Sequence, residues 1–294
     1  MRATAHASRV VPWMAWLSAT NLLVLPACSP TAARGGGYCA PPVVAPLPLA
    51  SDPEPPAGAP RTEQMAALLG LRGMDAQQEA SSVDARVRVV ERIEMARLAI
   101  ASTSAELECE SERAAQAAEY LARRQTKNVQ MLTIGSVALA TLTGIAGVFL
   151  STRDAPAGDQ DAAAISGGVL TAALGLASLY VHATADFEHP RNLLTDVWTG
   201  PARSSTYPPI VWAYFTRPQF SNAQRQPIRE KIVARWRRFE PIDDPAAERL
   251  LFGRGGPYDA DTLHTRAAML EEVRAEVQLS QQDLAAFAAT LLRP

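Results

Sequence analysis

The chain reads as all-α, and three observations carry that reading. Its hydrophobic content is 48% against only 6% aromatic, so the apolar character comes mainly from Ala, Leu and Val, and Ala and Leu are strong helix formers. Alternating β-branched runs joined by Asn-Gly or Asp-Gly turns are missing, which removes the usual hairpin-sheet signature. Two uncharged runs, residues 129–150 and 162–181, flank a short polar loop at 151–161. Each is long enough to cross about 30 Å of hydrocarbon as a helix. The expected architecture is a long approach helix, an antiparallel hydrophobic helical hairpin, and a helical C-terminal domain whose last long helix packs on the approach helix. The corresponding segments are 1–27, 28–60, 61–128, 129–183 and 184–294.

The first segment is an address. Arg2, His6 and Arg9 precede the charge-free stretch 10–25, the layout of an export signal. The stretch ends in Leu25-Pro26-Ala27-Cys28, which resembles the bacterial lipobox: an aliphatic residue, a small residue, then an obligatory cysteine. The resemblance covers this signal alone. It implies cleavage before Cys28, a diacylglycerol on its sulfur and acylation of its freed amine. Several acyl chains, each methylene worth ~0.8 kcal/mol, make a stable anchor. Ser29 follows in place of the Asp that retains many such proteins at the inner membrane, so the resemblance favours the outer membrane. An ordinary cleaved signal and an uncleaved anchor helix remain as alternatives.

With Cys28 assigned to lipid, Cys39 and Cys109 remain. An even number in an oxidising compartment suits a bridge, and two unpaired small residues are the other option. Residues 28–60 are dense in proline and contain Gly35-Gly36-Gly37, a spacer composition.

A short helix is expected from Thr62 to Leu69, stopped by Gly70. From 76 to 127 neither Pro nor Gly occurs, and Ile93, Ile100, Leu107, Ala114 and Leu121 fall seven apart, on one helical face. Their companions Ala96, Thr103, Glu110 and Ala117 are weakly apolar. That favours packing on another part of the chain over a two-stranded zipper. At 1.5 Å per residue such a helix spans about 75 Å, ending in the cationic turn Arg123, Arg124, Lys127.

Within the hairpin, Ser136, Ala140 and Gly144 are spaced by four, as are Ala164, Gly168 and Ala172. Small residues at that interval let helices in lipid approach closely, so these six are the expected packing seam. Burial as a soluble core hairpin is the alternative. The charges complicate insertion. Bases sit on the outer ends (Arg123, Arg124, Lys127, Arg191), while the loop carries Arg153 against Asp154, Asp159 and Asp161. The positive-inside rule then places both ends in the cytoplasm, opposite to where a lipoprotein starts.

Beyond 181, His182, Asp186, Glu188 and His189 cluster. Without an evident fourth ligand they read as solvated caps, not a metal site. Trp198, Tyr207, Trp212, Tyr214, Phe215 and Phe220 fit a small core better than a headgroup belt. Pro208-Pro209 opens a helix. Ile228, Ile232, Trp236 and Phe239 form the apolar stripe of another, Gly253 stops a further one, and Asp259 or Asp261 caps the last, 262–292. Leu263, Ala267, Leu270, Val273, Val277, Leu284, Phe287 and Leu291 form its apolar side.

No cofactor or metal is expected. Formal net charge is −2, which argues against nucleic-acid binding. Four His, no Gly-x-Ser-x-Gly and no distinctive carboxylate pair argue against a hydrolase. The expected function is non-enzymatic: a cell-envelope lipoprotein at the periplasmic face, contacting lipid through acylated Cys28 and the hairpin, structural or scaffolding. The alternative is an oligomeric pore-forming or secretion-associated component, assembled with copies of itself or another envelope protein.

Overall fold

The computed structural model describes residues 39, 55–56, 58–71, 83–151, 168–169, 171–177, 182–222, 226–240, 242 and 244–291. Cys28, the signal segment, Ala164 and the loop of the hairpin lie outside the described residues. Residues 35–294 form one compact unit.

The chain is helical almost throughout. Helix α1, Arg61–Leu69, is closed by Gly70 in the left-handed conformation (φ 72°), whose N–H returns to the carbonyls of Ala66 and Ala67. Glycine takes this geometry without the steric cost a Cβ carries. Helix α2, Val83–Ser151, has 69 residues and reaches about 100 Å at 1.5 Å per residue. The helix expected to end near Lys127 does not stop there. Asn128, Val129 and Gln130 contain no breaker, so the approach helix and the first apolar run are one rod.

Among the described residues, α1 and the elements from 185 onward build a base around the lower half of that rod. Helices α3 (Leu193–Thr199), α4 (Pro209–Thr216), α5 (Ile228–Phe239) and α6 (Pro245–Phe252) precede the long helix α7, Ala260–Leu291. Asp259 starts α7, its Oδ1 accepting from the Thr262 N–H at 2.8 Å and hydroxyl at 2.6 Å. Helix α7 runs antiparallel along α2. The Ser111 hydroxyl donates to Glu271, Arg274 pairs with Glu108 at 3.1 Å, and Gln278 donates to Ser104 at 3.3 Å. Continued to its first residue, this register sets Ala260 opposite Ala122. Burial on α2 agrees: Ala96, Ile100, Leu107, Ala114, Ala118 and Leu121 are all inside. On α7, Leu263, Ala267, Leu270, Val273, Val277, Leu284 and Phe287 face them, while Leu291 lies at the exposed end.

Two short strands were not foreseen. Strand β1, Ala185–Glu188, pairs antiparallel with β2, Gly255–Tyr258, in the register Ala185 with Tyr258 and Glu188 with Gly255. Gly255 has φ 97°, and a Cβ there would collide with the Phe187 carbonyl, so this turn into the strand requires glycine.

The aromatic cluster is core. Tyr207, Trp212, Tyr214, Phe215 and Phe220 are buried, and their polar atoms are used internally. The Tyr207 hydroxyl donates to the Leu193 carbonyl at 2.6 Å, the Trp212 indole to Pro201 at 3.1 Å, and the Tyr214 hydroxyl to Asp283 at 2.8 Å. Of the α5 stripe, Ile228, Ile232 and Trp236 are inside. Phe239 is 69% exposed, because the helix ends on it and Glu240 is already extended.

Candidate functional site

Two features stand out: the uncovered upper end of α2, and a closed polar layer in the base. The covered part of α2 ends near Ala122. Tyr120, Arg123, Arg124 and Lys127 form a collar around that end, and about 33 Å of uncharged helix follows to Ser151. Arg123 pairs with Glu119 at 3.1 Å, both side chains well exposed, so its net attraction is small.

The uncharged stretch is exposed along its length. Met131 is 72% exposed, Leu142 65% and Ile145 62%, with Ile134, Val137, Val148 and Phe149 similar. The membrane-length window of this helix buries none of its residues inside the protein. Among the described residues, no element buries the first run. Its hydroxyls bond within the helix. Thr133 and Thr141 return their hydroxyls to Val129 and Val137 at 2.9 Å, and Ser136 to Thr133 at 2.8 Å, the form in which hydroxyls are tolerated in lipid. The second run is helical at 168–169 and 171–177, with Val169 and Leu176 also exposed.

Of the expected small-residue seam, Ser136 is half-buried and Ala164 lies outside the described residues. Ala140, Gly144, Gly168 and Ala172 are exposed, and a Cβ at Gly144 or Gly168 would meet nothing within 4 Å. Positions four apart drift about 40° per step around a helix of 3.6 residues per turn, so Ser136 and Gly144 point some 80° apart. The less exposed residues are Val129, Leu132, Ser136, Leu139 and Thr143, whose 3-4-3-4 spacing keeps to one face. Thr141, Gly144, Ile145, Val148 and Phe149 instead line a shallow open apolar groove.

Below the collar, Cys39 and Cys109 form a disulfide with Cα atoms 5.7 Å apart. It ties the segment before α1 to the covered half of α2, closing a separation of 70 residues.

The polar layer lies between α2, the strands and α7. Arg266 is fully buried and donates from Nη1 to the Leu251 carbonyl at 3.0 Å and the Asn192 side chain at 3.2 Å. Asn192 caps α3, accepting from the Leu194 N–H at 3.0 Å, and donates to the Leu251 and Gly253 carbonyls at 2.8 Å. His189, expected as a solvated cap, is 1% exposed. Its Nε2 lies 3.0 Å from the Tyr258 hydroxyl, which donates onward to Leu250 at 2.6 Å. Burial, reinforced by Arg266 and Arg113, drives His189 down to about 3, so the ring is neutral near pH 7. Glu106 is likewise inside, paired with Arg191 at 3.0 Å. Burial lifts its carboxyl to about 7, against the pull of Arg191 and with help from Glu110.

Sequence reasoning missed this layer because Glu106 and Arg266 look like ordinary helix charges. The available signal was the polar residues within the covered half of α2, where Thr103, Ser104 and Ser111 are buried and call for polar partners. The layer is enclosed, and its Glu106–Arg191 pair ties α2 to the start of α3. Among the described residues, no group of three or more His, Cys, Asp or Glu is placed to hold a metal ion. No family model, curated protein or solved structure matches this chain.

Proposed function

We propose that the protein is a non-enzymatic envelope lipoprotein, anchored through an acylated Cys28, whose apolar arm inserts in a membrane and whose helical base is displayed on the rod. The observation that carries the reading is the exposed uncharged end of α2. A contiguous apolar surface of this length is costly in water, and exposed patches of this kind mark membrane or protein contacts. Its length matches a hydrocarbon core, and a cationic turn with Tyr120 lies at its root.

A second reading is assembly of the arms into an oligomeric pore. It draws on the open space at Gly144 and Gly168, which leaves room for another helix to approach closely.

Envelope fractionation tests the proposal. The full chain is expected in the membrane pellet after carbonate washing, with a globomycin-sensitive, acyl-labelled form that Cys28→Ala abolishes. Recovery of the Cys28→Ala protein in its normal processed form would remove the lipoprotein reading. Recovery in the soluble fraction as stable oligomers dependent on Gly144 would favour the second.

A further inference from the structure

We infer that the arm enters its bilayer from the oxidising side, with both of its flanks held on that side and the headgroup layer at the collar Tyr120, Arg123, Arg124 and Lys127. This rests on the membrane reading above and adds a direction and a waterline.

The direction comes from the disulfide. Cys109 is bridged to Cys39, and such bridges persist in oxidising compartments. One residue away, Glu108 is ion-paired with Arg274 of α7, and α7 carries the rest of the base. The segment before α1, the covered half of α2 and the C-terminal domain therefore share one compartment. From Cys109 the helix continues without a break to Val129, where the uncharged run begins, about 30 Å further on. The chain returns to the base at His182. The polar loop between the two runs is then the part carried away from the oxidising side.

The waterline comes from the collar. Covering by α7 ends near Ala122, and the uncharged run begins at Val129. The intervening turns hold exposed Arg123 and Lys127, and exposed Tyr120 lies within a turn before them; these are residue types that settle at membrane interfaces. Their sign is informative. Bases on the oxidising flank and a net acidic loop reverse the bias that orients helices inserted from the cytoplasm. The arm thus inserts after export, from a base already folded and bridged.

Four single-thiol variants of the full chain test this: Thr126→Cys, Leu142→Cys, Ala157→Cys and Ala202→Cys. An impermeant maleimide is applied to intact cells, to cells with the periplasm opened, and after detergent lysis. Ala202→Cys and Thr126→Cys should react together when the periplasm is opened, and Leu142→Cys only in detergent. Ala157→Cys should react at a different step from Ala202→Cys: earlier if the outer membrane is crossed, later if the inner one is. Cys39 and Cys109 should react only after reduction. Simultaneous reaction of Ala157→Cys and Ala202→Cys in a membrane-bound protein would overturn the direction while leaving membrane association intact. Free thiols at Cys39 and Cys109 in cells would overturn the side assignment. A soluble full chain would sink the membrane reading itself.

Discussion

Placing an acid halfway along the arm separates a lipid-facing helix from a protein-facing one. Leu142 is 65% exposed and lies about 20 Å past Val129 along the helix, near the middle of a bilayer. Leu contributes about −0.5 kcal/mol to insertion at a helix centre and Asp costs about 3. Leu142→Asp therefore shifts the insertion equilibrium by about 3.5 kcal/mol, some 300-fold. In the folded base the same change should be nearly silent, since exposed positions away from special features stay within about 0.5 kcal/mol. The assay is paired: carbonate-resistant membrane association, and the thermal midpoint of detergent-solubilised protein by circular dichroism. The expected result is release from the membrane with an unchanged midpoint. Unaltered association would refute lipid exposure of this face. A midpoint lowered by several degrees would show that Leu142 packs against protein.

Other outcomes follow from the base. Cys39→Ser should cost about 4 kcal/mol in urea unfolding, from the entropy of the 70-residue separation the bridge closes; a loss below 1 kcal/mol would mean that the unbridged chain is already constrained there. Leu107→Ala, at a fully buried position on the α2–α7 seam, should destabilise by about 2–5 kcal/mol, whereas Ile134→Ala on the exposed arm should leave unfolding of the base unchanged. Glu106 keeps its proton to about pH 7 when folded but releases it near its ordinary 4.5 when unfolded. Its contribution is therefore full below 4.5 and is lost as pH rises through 7, by at most about 3 kcal/mol. Glu106→Gln should gain on the wild type between pH 5 and 8, and parallel urea profiles at the two pH values would refute the burial argument.

The sequence made the helical stops and faces legible because they depend on local chemistry. Gly70 as a stop, Pro209 as an opening residue and Asp259 as a cap act within a turn of themselves. The seven-residue stripe from Ile100 to Leu121 needed only periodicity. Nonlocal features were not legible. The strands are four residues each, too short for alternation to register, and exist because Gly255 lets two distant segments meet. Arg266 sits at a position of α7 that any surface arginine could occupy, and only the convergence of the Asn192 cap and the Leu251 carbonyl encloses it. Charge ends at Lys127, but the end of charge does not terminate a helix, and α2 continues through it. Membrane-length apolar character was plain from composition, whereas its packing face was not, since an interval of four names spacing and not azimuth.

The unbroken backbone of α2 has a mechanical consequence. Between the last residue clamped by α7 and the first uncharged turn there is no glycine, proline or kinked geometry to act as a joint, and helices bend sharply only at such features. The arm and the base therefore behave as one cantilever. Tilting the arm by a given angle swings the base through the same angle, and rotating it about its axis turns a chosen face of the base toward or away from the membrane plane. The thickness of the bilayer, by setting the tilt of a helix longer than the core it crosses, would thus steer a domain tens of ångströms away.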